Sequence, residues 1–318
     1  AQLDVVDAGQ TLSFRDLRGK LDGVGERYRL TARATTPWAE ADGQFDIGKD
    51  APFGLQGRFT AQRREPVPLG ATLDLSGRLA AVEFRADARA EGMHFMATGE
   101  AAPFARIRLP KLLVAGQGID PRQFSADAPS ADLAFSGIFQ GQPGERLLGT
   151  FSLSNRLAGR LDQHRLPLAN LTGAVVGDSE KADFSALSID LGAAGQLVGD
   201  GQWRDGRLTL KLASEYLNLA GLHHDLYPTR IRTSLQFSGD AARQALVADV
   251  SETWGTGRVT LTLADAVLRL QDARFSGQAG RISASGDLAL DAGRAFSARF
   301  EATQINPARF GKFPRARL

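Results

Sequence analysis

Polar and apolar residues alternate along the last part of the chain. In "SGDLALDAGRAFSARFEATQINPARF", residues 285 to 310, Leu288 and Leu290 oppose Asp287, Ala289 and Asp291. After Gly293, Phe296, Ala298, Phe300 and Ala302 oppose Ser297, Arg299, Glu301 and Thr303. A period of two is that of a strand with one apolar face. The same pattern runs back through "RYRLTARA", "GQFDIG", "FGLQGRFTA", "ATLDLSG" and "VEFRADARA", where Phe84 takes the apolar parity. It continues through Leu133, Phe135 and Phe139, then Phe151 and Leu153, then Leu187, Ile189 and Leu191. Further on it takes Leu208, Leu210 and Leu212, then Leu235 and Phe237, then Val259, Leu261 and Leu263, then Leu268 and Leu270. Such a face must lie against something apolar, and a helix or a second sheet is the obvious protein candidate.

The joints between these runs are short and carry Gly beside Asp. "WRDGRL" places Asp205-Gly206 where a two-residue hairpin turn needs positive φ. Joints this short pair consecutive strands antiparallel, because a parallel neighbour needs a crossover of a dozen residues or more. Between Leu263 and Leu268 the apolar parity switches from odd to even, which predicts a bulge or bend around Ala264 to Val267. Helical signals shrink to single turns at residues 120 to 124, 219 to 228 and 306 to 313. Each such turn follows a Gly-started pair of strands and ends on Phe124, Leu222 or Phe310, which lie 98 and 88 residues apart. The expected architecture is all-β: one elongated antiparallel sheet with degenerate units of about 90 residues (1–124, 125–222, 223–318) and no linkers between them. The chain opens inside a strand and without Met, so residues 1–318 are read as one continuous segment of a longer protein.

Charge and composition narrow the function. The 318 residues carry 38 basic and 36 acidic side chains, interspersed, for a net charge of +2. That gives no concentrated basic field for nucleic acid. Cysteine is absent, which removes disulfides, thiol nucleophiles and thiolate metal sites. No stretch approaches the roughly 20 apolar residues of a membrane-spanning helix. The four histidines, His94, His164, His223 and His224, are dispersed, and His223 and His224 would point apart on a strand, so no metal site is expected. Acidic residues keep to the polar parity and to turns, and no nucleophile elbow or phosphate loop occurs, so no enzyme, catalytic residue or cofactor is expected. Asn170-Leu171-Thr172 fits a glycosylation sequon, a short pattern that arises often by chance. Eighteen Phe stand against 3 Tyr and 3 Trp. Phe offers apolar area without the polar handle that readers of polar ligands favour.

The unit "GDLAL…FSARFEATQINPARF", recurring as "GQWRDGRLTLKLASEYLNLAGL", resembles the TamB proteins of Gram-negative bacteria and, more broadly, the AsmA-like repeating β-groove family. The likeness covers most of the chain and is strongest from about 119 to 318. It implies a sheet bent into a U (a β-taco) with an apolar inner wall, lined here by the odd- and even-parity residues named above. It also implies a periplasmic location, with an inner-membrane anchor lying outside this segment. The implied function is a hydrophobic conduit moving phospholipid between inner and outer membranes, with a role in assembling outer-membrane proteins such as autotransporters. The implied partners are phospholipid acyl chains and, through other parts of the protein, an outer-membrane BamA-like barrel, TamA. A closed β-sandwich scaffold or adhesin-like array would use the same strands but should show linkers between domains, and a polysaccharide-acting enzyme on a parallel β-helix should show short regular rungs and a local cluster of Asp and Arg; neither signature is evident.

Overall fold

The computed structural model describes residues 3–7, 10–35, 39–63, 68–125, 128–144, 146–178, 180–253, 255–278, 280–290 and 295–304, with side chains from residue 18 onward. The fold is all-β. Among the described residues twenty-one strands belong to one sheet, and the ladders described join strands consecutive in the chain, all antiparallel. The sheet does not close on itself: β1 (Leu3–Asp7) is laddered to β2 (Gln10–Val24), and at the other end β21 (Phe296–Thr303) is laddered to β20 (Gly280–Ala289).

The chain divides into two compact units, Ala1–Ile119 with Leu133–Phe151, and Asp120–Asp132 with Ser152–Leu318. In the first, β3 (Arg27–Thr35), β4 (Glu40–Gly48), β5 (Gly54–Arg63), β6 (Leu69–Arg78), β7 (Ala81–Ala90), β8 (Met93–Ala101), β9 (Lys111–Ile119) and β10 (Leu133–Gln142) follow β1 and β2. Strand β11 (Arg146–Asn155) carries the chain into the second unit. There, β12 (Asn170–Gly177), β13 (Lys181–Asp190), β14 (Gln196–Arg204) and β15 (Arg207–Leu217) precede β16 (Ile231–Gly239), β17 (Arg243–Glu252), β18 (Gly255–Ala264), β19 (Val267–Gly277), β20 and β21. Within this unit the sheet curls: residues of seven successive strands, β15 to β21, wall a single hollow of about 950 Å³.

Turn chemistry produces the meander. Asp205 and Gly206 take φ of 49° and 78°, and Arg204 faces Arg207 across the hairpin, as the sequence predicts. The parity switch after Leu263 has a different cause from the one expected. Asp265 and Ala266, at φ 52° and 56°, make a second two-residue turn with Ala264 facing Val267, so the run is two strands and not one bent strand. Across a two-residue turn, facing positions sum to an odd number, so one face reads odd on one strand and even on the next. The irregularities of this ladder lie further along, at Thr260/Leu261.

Short 3-10 turns are the sole helical pieces among the described residues. Two fall where the sequence places them, Pro121–Gln123 and Leu219–Gly221, and they share one geometry. Asp120 and Asn218 are extended N-caps whose side chains accept the N–H of Arg122 and Ala220. The N–H of Phe124 and of Leu222 closes each turn, 3.0 and 2.9 Å from the carbonyls of Pro121 and Leu219. The third expected turn, residues 306 to 313 with Phe310, lies outside the described residues. Two more, Leu161–Gln163 and Gly192–Ala194, have no counterpart in the sequence reading.

Candidate functional site

Alternation on paired strands gathers the apolar residues into rows that cross the sheet. In the second unit, one row runs Leu212, Leu235, Ala248, Val259, Ala273, Ala284, Phe300, each facing the next on the neighbouring strand. Beside it runs Leu210, Phe237, Leu246, Leu261, Leu270, Gly286, Ala298, and then Leu263, Leu268, Leu288, Phe296. Twelve of the expected wall residues thus share one face. Leu208 faces Trp203 and Gly239, Leu187 faces Gly199, and Ile189 faces Leu171 and Leu197. Leu191 sits past the end of β13 as the N-cap residue of the Gly192–Ala194 turn, and Leu290 follows β20, its N–H donating to the Ala266 carbonyl at 2.7 Å. Phe151 and Leu153 on β11 are half-buried.

In the first unit one row runs Leu30, Phe45, Gly57, Leu75, Phe84, Gly99, Leu112, Phe139, and beside it runs Ala32, Gly43, Phe59, Leu73, Ala86, Ala97, Val114, Gly137. Phe135 faces Gly116, and Leu133 faces Ile119. Phe and Gly recur here as facing partners: Phe59 with Gly43, Phe45 with Gly57, Phe84 with Gly99, and in the second unit Phe275 with Gly257. The rings lie down over the glycines. A Cβ at Gly99 would stand 2.6 Å from Cζ of Phe84, and one at Gly116 would stand closer still to Cε1 of Phe135. A glycine in a strand ordinarily weakens it, and an aromatic ring folded across the gap covers the bare backbone and restores the lost contact.

This face is not the inside of a closed sandwich. A closed sandwich buries its inward Leu and Phe essentially completely. No large side chain among the described residues is fully buried. Leu187 and Leu212 fall below a tenth exposed, most of the rows are half-buried by their own neighbours, and Phe296 and Phe300 are 79% and 74% exposed.

The opposite face carries paired charges. Arg29 on β3 donates through two nitrogens to Asp46 on β4, at 2.8 and 2.9 Å, and Arg58 on β5 to Asp74 on β6 at 2.5 Å. Arg232 reaches Glu215 at 2.8 Å and Arg269 reaches Asp287 at 2.7 Å. Hydrogen bonds from Arg29 and Arg58 hold Asp46 and Asp74 below the usual carboxylate range. The hollows are not lined by the apolar rows alone, a feature absent from the sequence reading: the one over β15 to β21 takes Arg232, Asp249 and Arg258 together with Val250, Phe275 and Ile282. One of about 1140 Å³ over β2 to β6 is walled by side chains such as Arg33, Asp42, Gln44 and Arg58, over a floor that includes Gly43 and Gly57.

One histidine expectation is corrected. His223 and His224 lie in the turn after Leu219–Gly221, not on a strand, and their rings stack with centroids 5.2 Å apart and planes 21° from parallel. A turn can bring sequence neighbours to one side, whereas a strand sends them to opposite faces.

No family model, curated protein or solved structure matches this chain. No helix among the described residues is long and apolar enough to cross a membrane.

Proposed function

We propose that this chain is a hydrophobic conduit for phospholipid, a segment of an AsmA-like β-groove protein of the TamB type that leads acyl chains across the periplasm. The observation that supports it is the apolar face each unit presents, paved by Phe laid over Gly and left incompletely buried by protein. Lifting one phospholipid from a bilayer exposes about thirty CH₂ groups at about 0.8 kcal/mol each, on the order of 20 kcal/mol. An unbroken apolar strip replaces that environment at every step. It needs no catalytic residue, only weak contacts of one kind along its length. In this reading the apolar face is the inner wall of a U-shaped groove. The matched turns ending at Phe124 and Leu222, with six strands (β10 to β15) between them, mark successive units of about 90 residues. A role in outer-membrane protein assembly, with a BamA-like barrel as partner, belongs to the same proposal.

The test places a photo-crosslinking residue at Phe300 and, in a second protein, at Arg299. Phospholipid adducts at 300 and not at 299, with lipid retained in native mass spectrometry, are the expected result. Equal labelling at both positions, or none in a folded protein, would exclude the conduit.

A further inference from the structure

Two turns of the second unit, far apart in sequence, are pinned together on one margin of the sheet. The N–H of Leu161, opening the turn Leu161–Gln163, donates to the carbonyl of Leu222 at 2.9 Å. The N–H of His224 donates to Oδ1 of Asp162 at 3.1 Å. These bonds place Oδ2 of Asp162 at 3.2 Å from Nδ1 of His224, with His223 stacked alongside. One donor atom from each of Asp162, His223 and His224 thus lies within 4.8 Å of the others.

The carboxylates around the pair hold the rings in place. His224 lies between two carboxylates, with Nδ1 3.2 Å from Oδ2 of Asp162 and Nε2 3.0 Å from Oδ1 of Asp225. His223 Nδ1 accepts the N–H of Asp225 at 3.2 Å, a bond that rotation of the ring gives up when His223 ligates. The Asp162 side chain, 13% exposed, is braced by Arg160 at 3.4 Å and by the His224 amide. A carboxylate held by its second oxygen beside a histidine backed by another carboxylate is how metal ligands are oriented.

We propose that Asp162, His223 and His224 bind a divalent transition-metal ion, with zinc the best match to a borderline set of two imidazoles and one carboxylate. Metal–ligand bonds of about 2.0–2.1 Å in a tetrahedron set the donors about 3.4 Å apart. Rotation of the half-exposed His223 ring supplies the closure. Asp225 positions His224 and does not ligate. The bound ion joins the two turns and fixes that margin of the sheet. The competing arrangement is a metal-free imidazolium at His224 bridging Asp162 and Asp225.

The test strips the 318-residue protein with chelator and titrates it with zinc. One ion per chain is expected, with affinity lowered at least tenfold in His223→Ala, His224→Ala and Asp162→Asn, and unchanged in His94→Ala and His164→Ala. Asp225→Asn weakens binding less than loss of a ligand. Circular dichroism of the stripped variants checks their folding. Independently of any variant, zinc added to the wild type should shift the NMR ring resonances of His223 and His224 and leave those of His94 and His164 in place. No stoichiometric uptake, uptake undiminished in Asp162→Asn and His224→Ala, or ring shifts confined to His94 or His164 would each overturn the site.

Discussion

The ring of Phe59 lies over Gly43 on the neighbouring strand, so that a Cβ at Gly43 would come within 3.0 Å of three ring carbons. Gly43→Ala therefore has to push the ring off the sheet. Overpacking of this kind costs about 1–3 kcal/mol. The check is a double-mutant cycle by thermal unfolding: the penalty of Gly43→Ala should largely vanish in a Phe59→Ala background, and an unchanged penalty would mean that the ring and the glycine are not coupled.

Phe300 should tolerate what an inward core residue would not. At 74% exposed, Phe300→Arg leaves the charge in water and should change stability by no more than about 0.5 kcal/mol, whereas a closed core would unfold around an unpaired charge. Acyl-chain labelling from a neighbouring probe at Phe296 should fall sharply in the same variant. Melting curves and crosslinking yield read the two effects separately.

The Arg29–Asp46 pair sets a pH dependence with a definite sign. Arg29 depresses the carboxyl pKa of Asp46 in the folded protein, so its contribution is fully present above the ordinary carboxylate range and is lost as pH falls below about 4. Asp46→Asn should lower the melting temperature at neutral pH, and the difference from wild type should shrink on acidification. A gap that widens in acid would reverse the assignment.

The Asp265–Ala266 turn holds an alanine at φ 56°. Left-handed backbone costs a non-glycine residue about 1–2 kcal/mol, and glycine's greater freedom when unfolded returns about 0.5–1 kcal/mol of that. Ala266→Gly should stabilise the protein by up to about 1 kcal/mol. The converse, Gly206→Ala at φ 78°, should destabilise it by a similar amount, both read from denaturant midpoints.

Alternation and turn residues made the meander legible, because both act over two to four residues. The Asp205–Gly206 hairpin and the turn after Asp120 could be placed from local chemistry alone. The Asp265–Ala266 turn could not, since alanine carries no turn signal and its positive φ is imposed by the ladder on either side. Strand β17 hid its inward residues: "ALVADV" is apolar on both parities at Ala245 to Ala248, so only the register identifies Leu246 and Ala248 as members of the rows. The pairing of Phe with Gly was visible as composition but not as contact, because each partner sits on a different strand. Asp162 drew no notice beside His223 and His224, since 62 residues separate it from His224 and pairing is decided by the fold.

A sheet whose described ladders join consecutive strands has a modular reach. Inserting or deleting one hairpin moves the chain along the hydrogen-bonding direction by two inter-strand spacings, about 9–10 Å, and leaves every other ladder intact. Removing a single strand instead reverses the chain direction of all that follows and requires each later turn to be rebuilt. Relatives of different length should therefore differ by whole hairpins, with the Phe-over-Gly paving resuming in phase on either side of the change.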